Sequence, residues 1–284
     1  MDNAAASWTA VYTSISRAAH QVLDPPPRVI DDPVAVGLVE GSRAEELLAC
    51  ADDFRSPIQC LARSLFIMRS RFAEDELYEA VRAGAGQYIL LGAGLDTFAY
   101  RQPEWARQVR IIEVDHPASQ ARKQDYLRGA GIEIGQNVHF CPLDFEATKL
   151  SQGLATCGFD PQVPTFLSWL GVTQYLQLAA ITRTLLDIQA FARGSRMVFS
   201  FIVADTDLDG VDAQAVQFFS QLAAARGEPW MTRFEPERLQ QRLLDLGFAE
   251  VRSIDPGELE RRYFAGREDQ LRAPLFERLM RVRV

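Results

Sequence analysis

Apolar and polar positions along the chain fall into two regimes, and the change between them near residue 88 predicts the architecture. Before it, Trp8, Val11, Ile15, Ala18 and Val22 recur at helical spacing, predicting a helix over residues 1–23. Pro25, Pro26 and Pro27 break that helix. Asp32 and Pro33 suit the N-cap and first turn of the next one. Short helices are predicted around 44–51 and 58–68, then an amphipathic helix over 69–81. No strand pattern occurs in this part, so residues 1–80 predict a helical cap. Beyond it, short apolar runs at 88–91, 109–115, 138–144, 165–170, 196–203 and 248–254 read as strands, and 279–284 alternates like an edge strand. Helices are predicted between them at 118–129, 178–191, 213–226 and 235–246, with Gly131, Gly194 and Gly247 as stops. Strands alternating with helices predict an α/β fold: a doubly wound, mostly parallel seven-stranded sheet of Rossmann-like type. The expectation is one domain over 1–284: the cap, then a sheet-and-helix core over 81–284 with an insertion around 205–235.

Candidate chemistry gathers where the first strand stops. The run Tyr88-Ile-Leu-Leu91 ends at Gly92-Ala93-Gly94, and glycines there let a ligand approach the backbone closely. About twenty residues on, the second strand ends in Asp115. A strand, a glycine turn, and a later strand with a terminal carboxylate hold nucleosides, the turn's N–H groups and the acid on the ribose hydroxyls. A dinucleotide turn wants a third glycine where Thr97 stands here. Asp96 places a negative charge where a pyrophosphate needs a donor and a cationic ligand is welcome. S-adenosylmethionine, a sulfonium with an ammonium, therefore fits better than NAD, with an unliganded tight turn as the plain alternative. Asp144-Phe145, at the third strand's end, suits an adenine, the carboxylate for its amino group and the ring for its face.

Composition narrows the partners. A net charge of −8 argues against nucleic acid, which needs a basic surface. Cys50, Cys60, Cys141 and Cys157 are far apart, which suits reduced thiols and offers no zinc spacing, so no metal is expected. No apolar run approaches the roughly 20 residues that span a bilayer, and no signal-peptide pattern follows Met1. A cytoplasmic protein acting on a small molecule is the expectation. Of His20, His116 and His139, only His116 lies near the proposed site, as a candidate general base or a structural neighbour of Asp115.

Leu91-Gly-Ala-Gly-Leu-Asp-Thr-Phe-Ala-Tyr-Arg101, with Glu113-Val-Asp-His-Pro117, resembles the leucine carboxyl methyltransferase-like family of S-adenosylmethionine-dependent enzymes. Asp31-Asp-Pro33, Arg69-Ser-Arg71-Phe72, residues 168–176 and Gly227-Glu-Pro-Trp230 extend the resemblance over most of the chain. It implies a class I methyltransferase core, and bacterial members include polyketide-tailoring carboxyl O-methyltransferases of secondary metabolism. By position, it implies Gly92 against the cofactor's amino-acid part, Asp115 on the ribose and Asp144-Phe145 at the adenine. It also implies Arg69 at the methionine carboxylate, with Arg17 as a second basic position. Leu170 departs from the pattern, standing where better-studied members carry a glutamate near the cofactor's ammonium; Asp96 or a backbone carbonyl is then the expected acceptor. The acceptor implied is a small-molecule carboxylate, already anionic at neutral pH and needing no base. Aromatic residues such as Trp8, Tyr12, Phe218, Phe219, Trp230 and Phe234 in the cap and insertion favour a flat, apolar acid. Alternatives are a phenol or alcohol acceptor, a nicotinamide-dependent oxidoreductase, and a non-catalytic binding protein.

Overall fold

A computed structural model of the chain describes residues 8–38, 49–204 and 208–284. Seven strands form one sheet: β1 (Gln87–Leu91), β2 (Arg110–Asp115), β3 (Val138–Pro142), β4 (Thr165–Trp169), β5 (Arg196–Ile202), β6 (Glu250–Ile254) and β7 (Glu277–Arg283). Their order across the sheet is β3-β2-β1-β4-β5-β7-β6. The first five run parallel, and β7 lies antiparallel between β5 and β6. The closing segment is therefore an interior strand, not the expected edge. Its Leu279, Met280 and Val282 are buried, whereas β6 carries exposed Glu250 and Arg252 and takes the edge itself. Strand limits otherwise fall within three residues of the expected ones.

Nine helices frame the sheet among the described residues: α1 (Trp8–Leu23), α2 (Pro33–Leu38), α3 (Pro57–Arg82), α4 (Pro117–Gly129), α5 (Leu150–Leu154), α6 (Leu178–Gln189), α7 (Gly210–Ala225), α8 (Pro236–Asp245) and α9 (Pro256–Leu259). The two helices expected over 58–68 and 69–81 are one. No glycine or proline interrupts 58–82, and a Ser56 cap with Pro57 starts a single 26-residue rod. Of the short helix expected around 44–51, positions 44–48 lie outside the described residues, and Ala51–Phe54 is a 3₁₀ turn. The expected stops hold where glycine supplies a positive φ, as at Gly131 (+66°) and Gly247 (+95°).

The sheet is buried on both faces, as parallel sheets are. Ile89 and Leu91 look into one core layer, Tyr88 and Leu90 into the other, and α3 feeds both: Leu65 and Phe66 on one side, Ile67 and Phe72 on the other. Trp169 is fully buried between Phe145 (6.1 Å) and Phe199 (6.4 Å). Burying each such ring contributes about 1.5–3 kcal/mol. Over the strand ends, Tyr12 of α1 packs edge-on to Phe66 of α3 at 6.0 Å and meets Phe219 of α7 at 5.9 Å. The first helix and the inserted α7 thus close over the same edge of the sheet. No helix among the described residues is long and apolar enough to cross a membrane.

Candidate active site

Strand order reverses direction between β1 and β4, and open α/β sheets bind ligands in the crevice at such a switch point. The glycine turn sits there. Gly92 (φ +67°) and Gly94 (φ +44°) both take the left-handed conformation that glycine adopts without strain. A Cβ on Gly92 would lie 2.4 Å from Val172 Cγ2, so the turn fits closely under the loop that follows β4. Gly92 and Ala93 donate N–H groups to the Val114 carbonyl (2.8 and 3.1 Å), and Gly94 donates to the Asp115 carboxylate.

Asp115 also accepts from the His116 N–H at 2.7 Å. Burial pushes its carboxyl up, and those two N–H groups offset part of the rise. The carboxylate thereby pins the turn to the end of β2 while remaining half-buried at the rim, with further acceptor capacity left over. One strand over, Asp144 accepts from the Glu146 N–H (2.9 Å) in a tight turn, and Phe145 is buried against Trp169. His116 is the N-cap of α4, with its Nδ1 accepting the Ala118 N–H at 3.3 Å. One ring nitrogen is thus engaged in holding a helix start.

Two expected ligands have other partners. The Arg17 guanidinium, only 2% exposed, reaches Asp32 (2.6 Å), Asp96 (3.2 Å) and Thr97 Oγ1 (2.8 Å). It fastens α1 to the glycine turn through these protein partners. Asp96 is committed in turn: it takes Arg17 and the Phe98 N–H (2.8 Å). Burial alone would raise its carboxyl, but Arg17, Lys123 and Arg101 more than offset this and hold it below the usual carboxylate range. The carboxylate expected for the cofactor's ammonium is thus already engaged by one guanidinium and one backbone N–H.

Arg101, which pairs with Glu74 and lies 3.2 Å from Asp32, completes this network. A second buried pair, Lys123–Glu113 at 2.7 Å, lies under the end of β2, with the Tyr100 hydroxyl donating to Glu113 at 3.0 Å. Sequence reasoning marked Asp32 as a cap, which it is (Ala35 N–H to Oδ1, 3.2 Å), and missed Arg101, Glu74 and Lys123 as site supports. Glu74 and Lys123 showed only as charges on helix faces, and Arg101 only as the last residue of the motif at the glycine turn.

Arg69 does reach the crevice. Its guanidinium lies over Phe66 (4.9 Å) and against Gly171, where a Cβ would be 2.5 Å from Nη2. Leu170 is half-buried beside it, packed on the second core layer. Arg69 donates to Glu277 at the start of β7 (3.0 and 3.3 Å), a residue that sequence reasoning did not single out. A charged residue in phase with buried Leu279 was the available signal.

Arg69, Gly171 and Glu277 line one side of a pocket whose other walls are Trp8, Tyr12, Phe66, Tyr175, Phe219 and Trp230. About 30 Å³ is free inside, room for about one water, so the walls must part to admit anything larger. Burial pushes the Tyr12 hydroxyl up to about 12, against smaller lowering effects of Gln59 and Arg63, and also pushes Tyr175 up. Arg226 stacks on Trp8 (5.1 Å) and Arg233 on Trp230 (5.6 Å), two of the wall rings. A larger concavity of about 990 Å³ runs between 25–29, the second half of α3 and 261–269; the glycine-turn residues line neither it nor the aromatic pocket, which the turn adjoins through Val172 beside Gly171.

Comparison with known proteins identifies the family and the fold. A family model described as leucine carboxyl methyltransferase matches residues 10–189. The "Putative S-adenosyl-L-methionine-dependent methyltransferase YktD" of Bacillus subtilis is 31% identical over 208 residues, covering 73% of this chain and 68% of its own. A relative of the same description from Saccharopolyspora erythraea is 30% identical, covering 72% and 70%. Among solved structures, a "putative methyltransferase" from Thermobifida fusca superposes with a TM-score of 0.55 at 19% identity, over 95% of this chain and 94% of that one. A DUF574 family protein from Streptomyces avermitilis gives 0.55 at 15% identity, over 95% and 96%, and both likenesses concern the fold alone.

Proposed function

The chain belongs to the leucine carboxyl methyltransferase family, and from that premise we propose that it transfers a methyl group from S-adenosylmethionine to the carboxylate of a small, flat, apolar acid. The residues present fit the cofactor: a turn without Cβ atoms at the switch point, a half-buried carboxylate at the end of β2, and a guanidinium by the loop after β4. Asp115 would hold the ribose hydroxyls, Asp144 and Phe145 the adenine end, and Arg69 the methionine carboxylate. When bound, the sulfonium supplies an electrophilic methyl carbon. An acceptor oxygen held in the aromatic pocket would take that methyl as its bond to sulfur is lost, and an oxygen already anionic would need no proton removed.

The observation that supports a carboxylate over a phenol or alcohol is the character of the pocket. Its tyrosines are held protonated by burial, its acid is paired with Arg69, and His116 caps a helix at the end of β2. None of these described groups is presented as a general base. Aromatic walls exclude water, and an anion meeting a cation to leave two neutral products is favoured by such a low-dielectric surrounding. Arg226 and Arg233, stacked on two of the wall rings, would favour an anionic acceptor nearby.

Methyl transfer from labelled cofactor, screened across aromatic carboxylic acids, matched phenols and peptides with free C-termini, tests this reading. Label in the acids, released by mild base as expected of an ester, is the predicted result. Label in phenols alone, or in peptides alone, would overturn it.

A further inference from the structure

Charges at the carboxyl edge of the sheet are almost all spoken for. Asp96 is held by Arg17 and the Phe98 N–H, Asp115 by two N–H groups of its own turn, and Asp144 lies at the far end beyond β2. The Arg69–Glu277 pair is different. Both side chains are buried (8% and 2% exposed), yet among the described residues each has the other as its only side-chain hydrogen-bonding or ion-pairing partner. Arg69 donates through Nη1 alone, which leaves Nη2 and Nε undirected, and the Glu277 oxygens accept from that single nitrogen.

A guanidinium offers five N–H donors and a carboxylate about four acceptor sites, so the pair keeps capacity on both sides. Buried ion pairs are costly unless further hydrogen bonds satisfy them. A ligand carrying its own adjacent anion and cation would complete both halves at once.

The position of the pair is fixed relative to the glycine turn. Val172 packs on Gly92, and Gly171 (φ +70°) leaves room for the guanidinium, since a Cβ there would meet three of its atoms within 2.7 Å. Glu277 is brought alongside because β7 inserts next to β5, opposite Ile202 at that strand's carboxyl end.

We propose that Arg69 and Glu277 together form the receptor for the cofactor's amino-acid group, with Glu277 accepting its ammonium. This rests on the methyltransferase reading above. It assigns to the seventh strand the anion that neither Leu170 nor Asp96 supplies. Glu277 thereby orients the methionine arm, and with it the sulfur, against the aromatic pocket whose rim it shares.

Three ligands measured by calorimetric titration test the assignment: S-adenosylhomocysteine, its desamino analogue with hydrogen in place of the ammonium, and 5′-methylthioadenosine, which lacks the amino-acid group. The wild-type chain should bind S-adenosylhomocysteine about 10- to 150-fold more tightly than the desamino analogue, the range for a buried bond to a charged group. Glu277→Gln should lose that factor for S-adenosylhomocysteine and leave the other two ligands unchanged. Equal wild-type affinity for S-adenosylhomocysteine and its desamino analogue overturns the proposal without any variant, so a misfolded Glu277→Gln does not protect it. Equal loss of both ligands in a folded variant would make Glu277 a mere support for Arg69 and also overturn it. If folded wild-type protein binds none of the three, it is the methyltransferase reading itself that fails.

Discussion

Replacing Arg17 separates the two roles that its position suggests. In Arg17→Met the stem stays and the charge goes, leaving Asp96 with its backbone N–H bond and Asp32 with Arg101 at 3.2 Å and Thr97 at 2.8 Å. Breaking a buried pair by removing one partner costs about 3–5 kcal/mol. Because Asp32 keeps a second guanidinium, the lower end applies, about 3 kcal/mol. At about 2 °C per kcal/mol for a chain of this size, the midpoint of thermal unfolding should fall by roughly 6 °C. Urea unfolding of Arg17→Met, Asp96→Asn and the double variant gives the coupling directly; residues in contact within one network should couple by roughly 0.5–3 kcal/mol. Affinity for S-adenosylhomocysteine in the folded variant should change far less than in Arg69→Met. A variant as stable as the parent, with additive single effects and a large loss of cofactor affinity, would refute this reasoning and restore Arg17 as a ligand.

Asp115→Ala should weaken S-adenosylhomocysteine binding by about 1.5–3 kcal/mol, roughly 10- to 150-fold, and unchanged affinity would mean the ribose lies elsewhere. Gly171→Ala should cost more stability than Gly131→Ala, whose φ of +66° is similar but whose Cβ would meet nothing within 4 Å; equal losses would show that Arg69 is not confined there. His116→Asn can still cap α4 and should keep methyl transfer, whereas a general-base role would cost roughly 10²–10⁴-fold in turnover. The carboxyl of Asp24 would be raised by burial, but His20 and Arg63 hold it below its ordinary value. A depressed folded pKa contributes stability that is full above the unfolded value and lost as pH falls through the folded one. The stability difference between wild type and Asp24→Asn should therefore shrink below about pH 4, near the ordinary aspartate value, and a pH-independent difference would contradict the pairing.

The sheet was legible in the sequence because its strands are short apolar runs buried on both faces, bounded by glycine or an acid. Gly92, Gly94 and Asp115 were legible for the same local reason: a strand's end and its chemistry sit within a few residues of each other. Partners brought together by packing across the fold were not. Arg17 reads as an amphipathic-helix cation until α1 is laid over the turn, and Asp96 reads as a free anion until Arg17 arrives from 79 positions away. Local periodicity likewise placed the closing segment at an edge, since alternation says which face is buried and nothing about which strand lies alongside. Helix α3 was split because the charges at Arg69 and Arg71 interrupted its apolar stripe, although Arg69 is buried with a partner.

Glu277 and Arg69 are 208 positions apart in the chain. Local helices and hairpins form early, whereas contacts of such separation come only after a large loop-closure entropy has been met. A molecule in which β1 to β5 have already paired would still present Arg69 without its counter-charge, beside an aromatic pocket missing Phe276 and Glu277 from its wall. Binding competence is thus tied to the most non-local strand insertion in the sheet. During synthesis at about 5–20 residues per second, the residues of the glycine turn are made several seconds before Glu277, so the site cannot be complete until the last strand is available.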